Sequence, residues 1–231
     1  MDRRNYLRSA AAATGVGAVG SLAGCLGVLS DSGAEGTVLG PPEQDLSETV
    51  HPSYGDEMPD FTVPDPLTGE DISISDFESE RAILWTLFYT NRPDGVCPAL
   101  ILRLRRAQAA AAEDGYADEI ALLPFTFDPE VDTADVLREY ASQQGVDLDA
   151  GNWHFLRPET YEEGQALIDD HFGLVIEKDY DSEYESLEYT FPHYGLILLT
   201  NKDGIVERAY PHGPRTDTER IVSDLKQVVT A

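Results

Sequence analysis

Apolar residues in this chain fall into short unbroken runs separated by stretches of helical periodicity. Residues 82–89 (AILWTLFY) are continuously apolar, with charge before them and Asn91-Arg92-Pro93-Asp94-Gly95 after them. A run of this length between turn signals predicts a strand buried on both faces. Downstream, Leu100, Ile101, Leu104, Ala107 and Ala111 recur at helical spacing, and Pro98 suits the first position of a helix over 98–112. Residues 119–127 (EIALLPFTF) repeat the buried-strand pattern despite Pro124, and Val136, Leu137, Tyr140 and Ala141 mark a second helix. A short strand is expected at 153–156 and a helix at 160–172, where Thr160 and Glu163 stand in capping-box register. Near the C-terminus, a strand at 194–199, the turn Asn201-Lys202-Asp203-Gly204 and a strand at 205–210 predict a hairpin. Ile221, Val222, Leu225, Val228 and Val229 define a last helix, with Thr216 and Glu219 as its cap.

Ahead of these elements, β-type runs at 60–63 and 71–74 flank Pro64-Asp65-Pro66-Leu67-Thr68-Gly69, a segment that demands a turn. Alternating strands and helices predict an α/β fold: a central mixed sheet with helices on both faces and an N-terminal β-hairpin extension, over residues 58–231. The segment 178–189, acidic and rich in tyrosine, has poor periodicity and reads as a mobile insertion.

Charge changes the picture of the surface. Asp and Glu number 43 against 16 Lys and Arg, a net −27, and the acids run through every expected element. Aromatic and aliphatic residues interleave with them, which separates this chain from a disordered acidic tail. Such a surface repels itself unless salt screens it, so it reads as an adaptation to high salt; an acidic face for a basic partner is the rival explanation. Nucleic acid is excluded as a partner, because phosphates require a basic patch.

The first 24 residues read as an export signal. Arg3 and Arg4 form a twin-arginine pair, and residues 9–24 are small and weakly apolar, too short for a span. Leu22-Ala23-Gly24-Cys25 resembles a lipobox, which makes Cys25 the expected lipid attachment point. The chain is therefore expected at the extracytoplasmic face of the cell membrane, held by lipid, with 25–57 (rich in Ser, Gly, Pro and acids) as a flexible acidic tether.

Chemistry in a fold of this kind is expected where the first long strand meets its helix. Cys97 stands there, in Val96-Cys97-Pro98. A helix N-terminus favours thiolate, which is both a nucleophile and a soft ligand for Cu(I). A small buried cysteine is the plainer alternative. Three stretches then resemble the Sco/SenC family. They are Phe88-Tyr89-Thr90…Pro93-Asp94…Val96-Cys97-Pro98, Phe127-Asp128-Pro129-Glu130…Asp132-Thr133, and His193 leading into Tyr194-Gly195-Leu196-Ile197-Leu198-Leu199…Asp203-Gly204.

The resemblance implies a thioredoxin-like fold, copper held by two cysteines and the histidine before the late strand, and help in assembling the copper centre of a terminal oxidase. Carried onto this chain, it names Cys97 and His193 as copper ligands and a cytochrome oxidase copper subunit as partner. The chain departs from the family at one place. Pro93 lies four residues before Cys97; with Gly95 read as an insertion, Arg92 takes the place of the first cysteine. A guanidinium stays protonated and cannot bind copper. Two other readings follow from that loss: a non-catalytic interaction module, and a one-cysteine, peroxiredoxin-like redox enzyme, against which the acidic neighbour Asp94 argues. His51, His154 and His171 read as tether or structural residues and His212 as a loop residue. Asp128 and Asp132 read as turn-shaping and helix-capping residues.

Overall fold

The structure is a computed structural model that describes residues 33–91, 94–181, 187–192 and 194–231. The export segment 1–24, Cys25, Arg92, Pro93 and His193 lie outside the described residues, as do 182–186 within the acidic insertion.

The hairpin comes first. β1 (Thr62–Asp65) and β2 (Glu70–Ser73) pair antiparallel around Gly69, whose φ of 77° is in the left-handed region the turn requires. The central sheet is built from β3 (Ala82–Phe88), β4 (Ile120–Thr126), β5 (Ile197–Thr200) and β6 (Val206–Tyr210), in the order β4-β3-β5-β6. β3 runs parallel to β4 and antiparallel to β5, and β6 closes the sheet as an antiparallel hairpin partner, so the sheet is mixed as expected. Every residue of β3 and β4 is buried, which is why both lack polar alternation.

Four helices cover the sheet: α1 (Val96–Asp114), α2 (Ala134–Gln144), α3 (Tyr161–Phe172) and α4 (Thr218–Val229). Successive strand side chains point to opposite faces, so Trp85 and Phe88 point apart. Phe88 stacks on Tyr140 of α2, and Trp85 stacks on Phe172 of α3 with centroids 4.3 Å apart. α2 and α3 therefore cover opposite faces, and α1 packs against α2 and α4. Burying a side chain of this size contributes about 1.5–3 kcal/mol.

Pro124 sits inside β4 without breaking it. The neighbouring amides of Leu122 and Thr126 donate to Asn152 and Leu156 on the outer side of the strand. Pro124 falls between them, where only isolated bridges at Trp153 and Leu156 continue the sheet, so its missing N–H interrupts no full ladder. The strand expected at 153–156 is reduced to those two bridges.

Several local expectations need correction. α1 starts two residues before Pro98, with Gly95 as its N-cap at φ 77°. α2 is capped by Thr133, not Asp132: Thr133 accepts from the Val136 amide. α4 is capped by Asp217 rather than Thr216, because Asp217 accepts from the Glu219 amide. The Thr160–Glu163 capping box of α3 forms as read.

The largest difference lies ahead of the hairpin. Residues 33–57, expected as part of a free tether, are packed along β6. Gly55 N donates to Val206 O, Val206 N to Asp56 O and Met58 N to Gly204 O, which extends the sheet past β6. Glu207, fully buried on β6, accepts the amides of Val38 (2.7 Å) and Leu39 (2.9 Å) and the side-chain amide of Asn201 (2.7 Å). Tyr54 Oη donates to Leu39 O at 2.6 Å, and Leu39 is buried. A composition rich in Ser, Gly and Pro hid this strap, because its order comes from backbone bonds to β6 rather than from its own apolar residues. The insertion is anchored as well: Asp179 and Thr190 form a two-way backbone bridge.

Candidate functional site

The site lies where β3 and β4 end and α1 begins. Asp94 Oδ1 accepts the Val96 amide at 3.0 Å, and Gly95 in the left-handed region turns the chain into α1. Cys97 is the second residue of that helix and is 1% exposed. The Tyr89 amide, one residue past β3, donates to its Sγ at 3.5 Å. Strand end and helix start are thus pinned together through the sulfur.

Asp132 organises the other side. It is fully buried, and the Thr90 amide donates to both of its oxygens at 3.2 Å. The hydroxyls of Thr90 and Thr126 also donate to it, one to each oxygen. Burial pushes its carboxyl up to about 6, against the pull of these bonds, and the nearby Asp128 adds to the rise. Adjacent amides therefore serve different ends: Tyr89 N–H faces the sulfur and Thr90 N–H faces Asp132. Sequence reading gave Asp132 a capping role; the parallel register of β3 and β4, with Phe88 beside Thr126, carries it inward instead.

Tyr140 completes this pocket wall. It is 7% exposed, its ring stacks on Phe88, and its buried hydroxyl has no hydrogen-bond partner among the described residues. Burial raises its pKa strongly, and the charges of Cys97 and Asp132 add to the shift, so the phenol stays protonated. Its rim lines an open groove of about 310 Å³ with Thr90 and Asn91. Nothing in the sequence distinguished Tyr140 from an ordinary core position of an amphipathic helix.

An aromatic group covers the opposite rim. Phe191 packs against Tyr89 (5.1 Å), Phe127 (4.9 Å) and Tyr189 (5.4 Å). Tyr189 Oη donates to Asp128 at 2.9 Å, and Lys178 lies 4.3 Å from the Tyr189 ring centroid while pairing with Glu130 at 2.7 Å. Burial raises the Asp128 carboxyl, and the Tyr189 bond opposes that shift. Asp128 thus does shape the turn after β4, but through a tyrosine from the insertion.

The chain on the far side of residue 193 returns to α1. A Cβ on Gly213 would lie 2.6 Å from Gly195 O and 2.7 Å from Leu100 Cδ2, so these groups converge on one glycine. Leu100 is one turn beyond Cys97 on α1.

The remaining histidines take other places. His154 Nδ1 lies 3.3 Å from Asp65, and His171 packs its ring against Phe61. His51 contacts the Pro52 carbonyl, and His212 caps a 3₁₀ turn beside Gly195. Among the described residues, no group of three or more His, Cys, Asp or Glu side chains converges as a metal site.

The SCO1/SenC family model matches residues 52–230. The chain belongs to the SCO1/SenC family. Solved Sco structures share its fold. BsSco, a member of the Sco family of cytochrome c oxidase assembly proteins, aligns with a TM-score of 0.60 at 22% identity, covering 80% of this chain and 98% of its own. Bradyrhizobium japonicum ScoI with copper bound aligns at 0.58 and 22% identity, covering 75% and 99%. A SCO1/SenC family lipoprotein from Bacillus anthracis aligns at 0.58 and 19% identity, covering 74% and 94%. At these identities the likeness establishes a thioredoxin-like fold. No curated protein matches the chain. The family model begins at residue 52, so most of the strap that docks on β6 precedes this SCO1/SenC protein's family-matched region.

Proposed function

We propose that this SCO1/SenC protein is an exported, lipid-anchored copper-binding protein that assists assembly of a cytochrome oxidase copper centre. Residues 1–24 would act as a twin-arginine signal, Cys25 would carry the lipid, and the domain would work at the extracytoplasmic face of the membrane. Cys97 and His193 would be the copper ligands.

The observation that carries this reading is the route of the chain around Cys97. Its sulfur sits in the first turn of α1 and accepts the Tyr89 amide. Phe191 packs on Tyr89, and Gly195 meets Gly213 beside Leu100. The residues flanking position 193 on both sides therefore lie against the neighbours of Cys97. Copper(I) favours soft sulfur and accepts imidazole, and the donors fit it in that respect. When bound, the metal would supply a cargo to pass on; Cys97 would hold it, and the buried walls around Cys97 would keep water away.

The test is Cu(I) titration of the full chain under strict reduction at high salt. The parent should bind one Cu(I), and Cys97→Ser and His193→Ala should each weaken binding by at least tenfold. Equal binding by Cys97→Ser would end the copper reading.

One observation favours a second reading. The Cys97 side chain is 1% exposed, which suits a packed structural thiol in a non-catalytic docking module. In that case neither substitution would change copper uptake, and Cys97→Ser would lower thermal stability alone.

A further inference from the structure

Strand alternation divides β6. Glu207 takes the strap amides, and Arg208 and Tyr210 share the other face. Tyr210 meets α4 there, where its Oη donates to Asp224 at 2.7 Å. Arg208 Nε lies 3.8 Å and Arg220 Nε 3.9 Å from the same Asp224 oxygen. One carboxylate thus gathers two guanidiniums, and one positive charge is left over. Both distances are too long for hydrogen bonds, and the oxygen already accepts the Tyr210 hydroxyl. Asp224 therefore fixes the pair without consuming its donors.

The two arginines line a pocket of about 190 Å³. The strap supplies another wall through Glu43 and Gln44, and His212 and Thr216 also line it. Arg208 is largely sequestered, its side chain 11% exposed. Its guanidinium lies over the Tyr54 ring at 5.6 Å, and Nη1 donates to Glu207 O at 2.6 Å. Its buried Nε has no hydrogen-bond partner among the described residues. Glu43 shares the pocket yet forms an ion pair with neither arginine.

A guanidinium is a planar fork of donors that meets oxyanions through paired hydrogen bonds. Two forks around one small pocket suit a group with acceptors on several sides. A tetrahedral phosphate has them, whereas a planar carboxylate offers two oxygens and one charge. We propose that this pocket binds a phosphate-type oxyanion, free or as a monoester, held by Arg208 and Arg220 and walled by the docked strap. None of the proposed copper ligands takes part, and the strap wall at 42–46 precedes the family-matched region. Because the strap forms part of the site, the ligand binds the docked form alone and so tightens it.

The test is calorimetric titration of the full chain at fixed, high ionic strength with inorganic phosphate, glycerol 3-phosphate and acetate. One phosphate probe should bind per chain, about tenfold more tightly than acetate. Arg208→Gln and Arg220→Gln should each weaken it by about tenfold. Arg220 is half-exposed, so Arg220→Gln should keep the parent Tm and decides the matter if Arg208→Gln fails to fold. Tighter binding of inorganic phosphate marks a free ion as the source, and tighter binding of glycerol 3-phosphate marks an ester such as a lipid headgroup. Saturating phosphate should slow hydrogen exchange at residues 38 and 39. No binding of either phosphate probe, equal affinity for acetate, or undiminished binding by Arg220→Gln overturns the proposal. Exchange unchanged at saturation overturns the strap's place in the site.

Discussion

Thr90 and Asp132, 42 residues apart, are joined through both the amide and the hydroxyl of Thr90, and the amide bridges the two carboxylate oxygens. This joint ties the exit of β3 to the turn that leads into α2. It also holds the peptide that follows Tyr89, the residue bonded to the Cys97 sulfur.

The pH dependence of stability should carry the mark of Asp132. Its carboxyl is raised from 3.8 to about 6 in the folded chain, chiefly by burial. A raised acid binds its proton more readily folded than unfolded. Its contribution is therefore greatest below about pH 4, declines as pH rises to about 6, and is flat above that. The total is about 3 kcal/mol. Urea unfolding of the parent and Asp132→Asn at pH 4, 5 and 7 in high salt checks this. The parent should lose stability relative to the Asn variant across that window, and a constant difference would contradict the buried charge.

Glu207 should hold the strap. Glu207→Gln removes the charge that accepts the Val38 and Leu39 amides and the Asn201 side chain. Bonds to a buried charge are worth about 1.5–3 kcal/mol each, partly recovered by the amide oxygen of Gln. The variant should be about 1–3 kcal/mol less stable. Hydrogen exchange at residues 38 and 39 should quicken while Cu(I) binding stays unchanged. Unaltered exchange there would mean that the strap is held by other contacts.

Gly213 should tolerate no side chain. An alanine Cβ would lie 2.6 Å from Gly195 O, 2.7 Å from Leu100 and 2.9 Å from Ile197. Two of these neighbours are packed core residues and the third is backbone, so Gly213→Ala should cost about 1–3 kcal/mol. Gly40→Ala meets nothing within 4 Å and serves as the control. Chemical denaturation of both variants decides the point.

Salt should stabilise the protein. A net charge of −27 on one chain repels itself, and the Debye length shrinks from about 10 Å at 0.1 M to about 3 Å at 1 M. Tm should rise steadily from 0.1 M to 1 M KCl and by a similar amount in NaCl, because screening depends on ionic strength. A Tm independent of salt would refute adaptation of this surface to brine.

Much of the fold was readable from local pattern. The continuous apolar runs became β3 and β4, the helical periodicities became α1 to α4, and the Thr160–Glu163 pair capped α3 as its spacing required. Cys97 was legible as a candidate site residue because a lone cysteine at a strand–helix junction is conspicuous. Asp132, Tyr140 and Glu207 were not. Each sits in a segment where its residue type has an ordinary local explanation: a cap, a core position on a helix, a charge on an edge strand.

The chain by itself determined which segments become strands and helices, since period and turn chemistry act over a few residues. It also determined the surface charge, which is a sum over side chains. Tertiary structure alone decided which polar groups meet. The parallel register of β3 and β4 brings Thr90 and Thr126 to Asp132, Tyr140 of α2 stacks on Phe88 of β3, and the buried Glu207 draws in a strap of low apolar content. Such pairings join residues far apart in the chain through low-dielectric space, and no local periodicity encodes them.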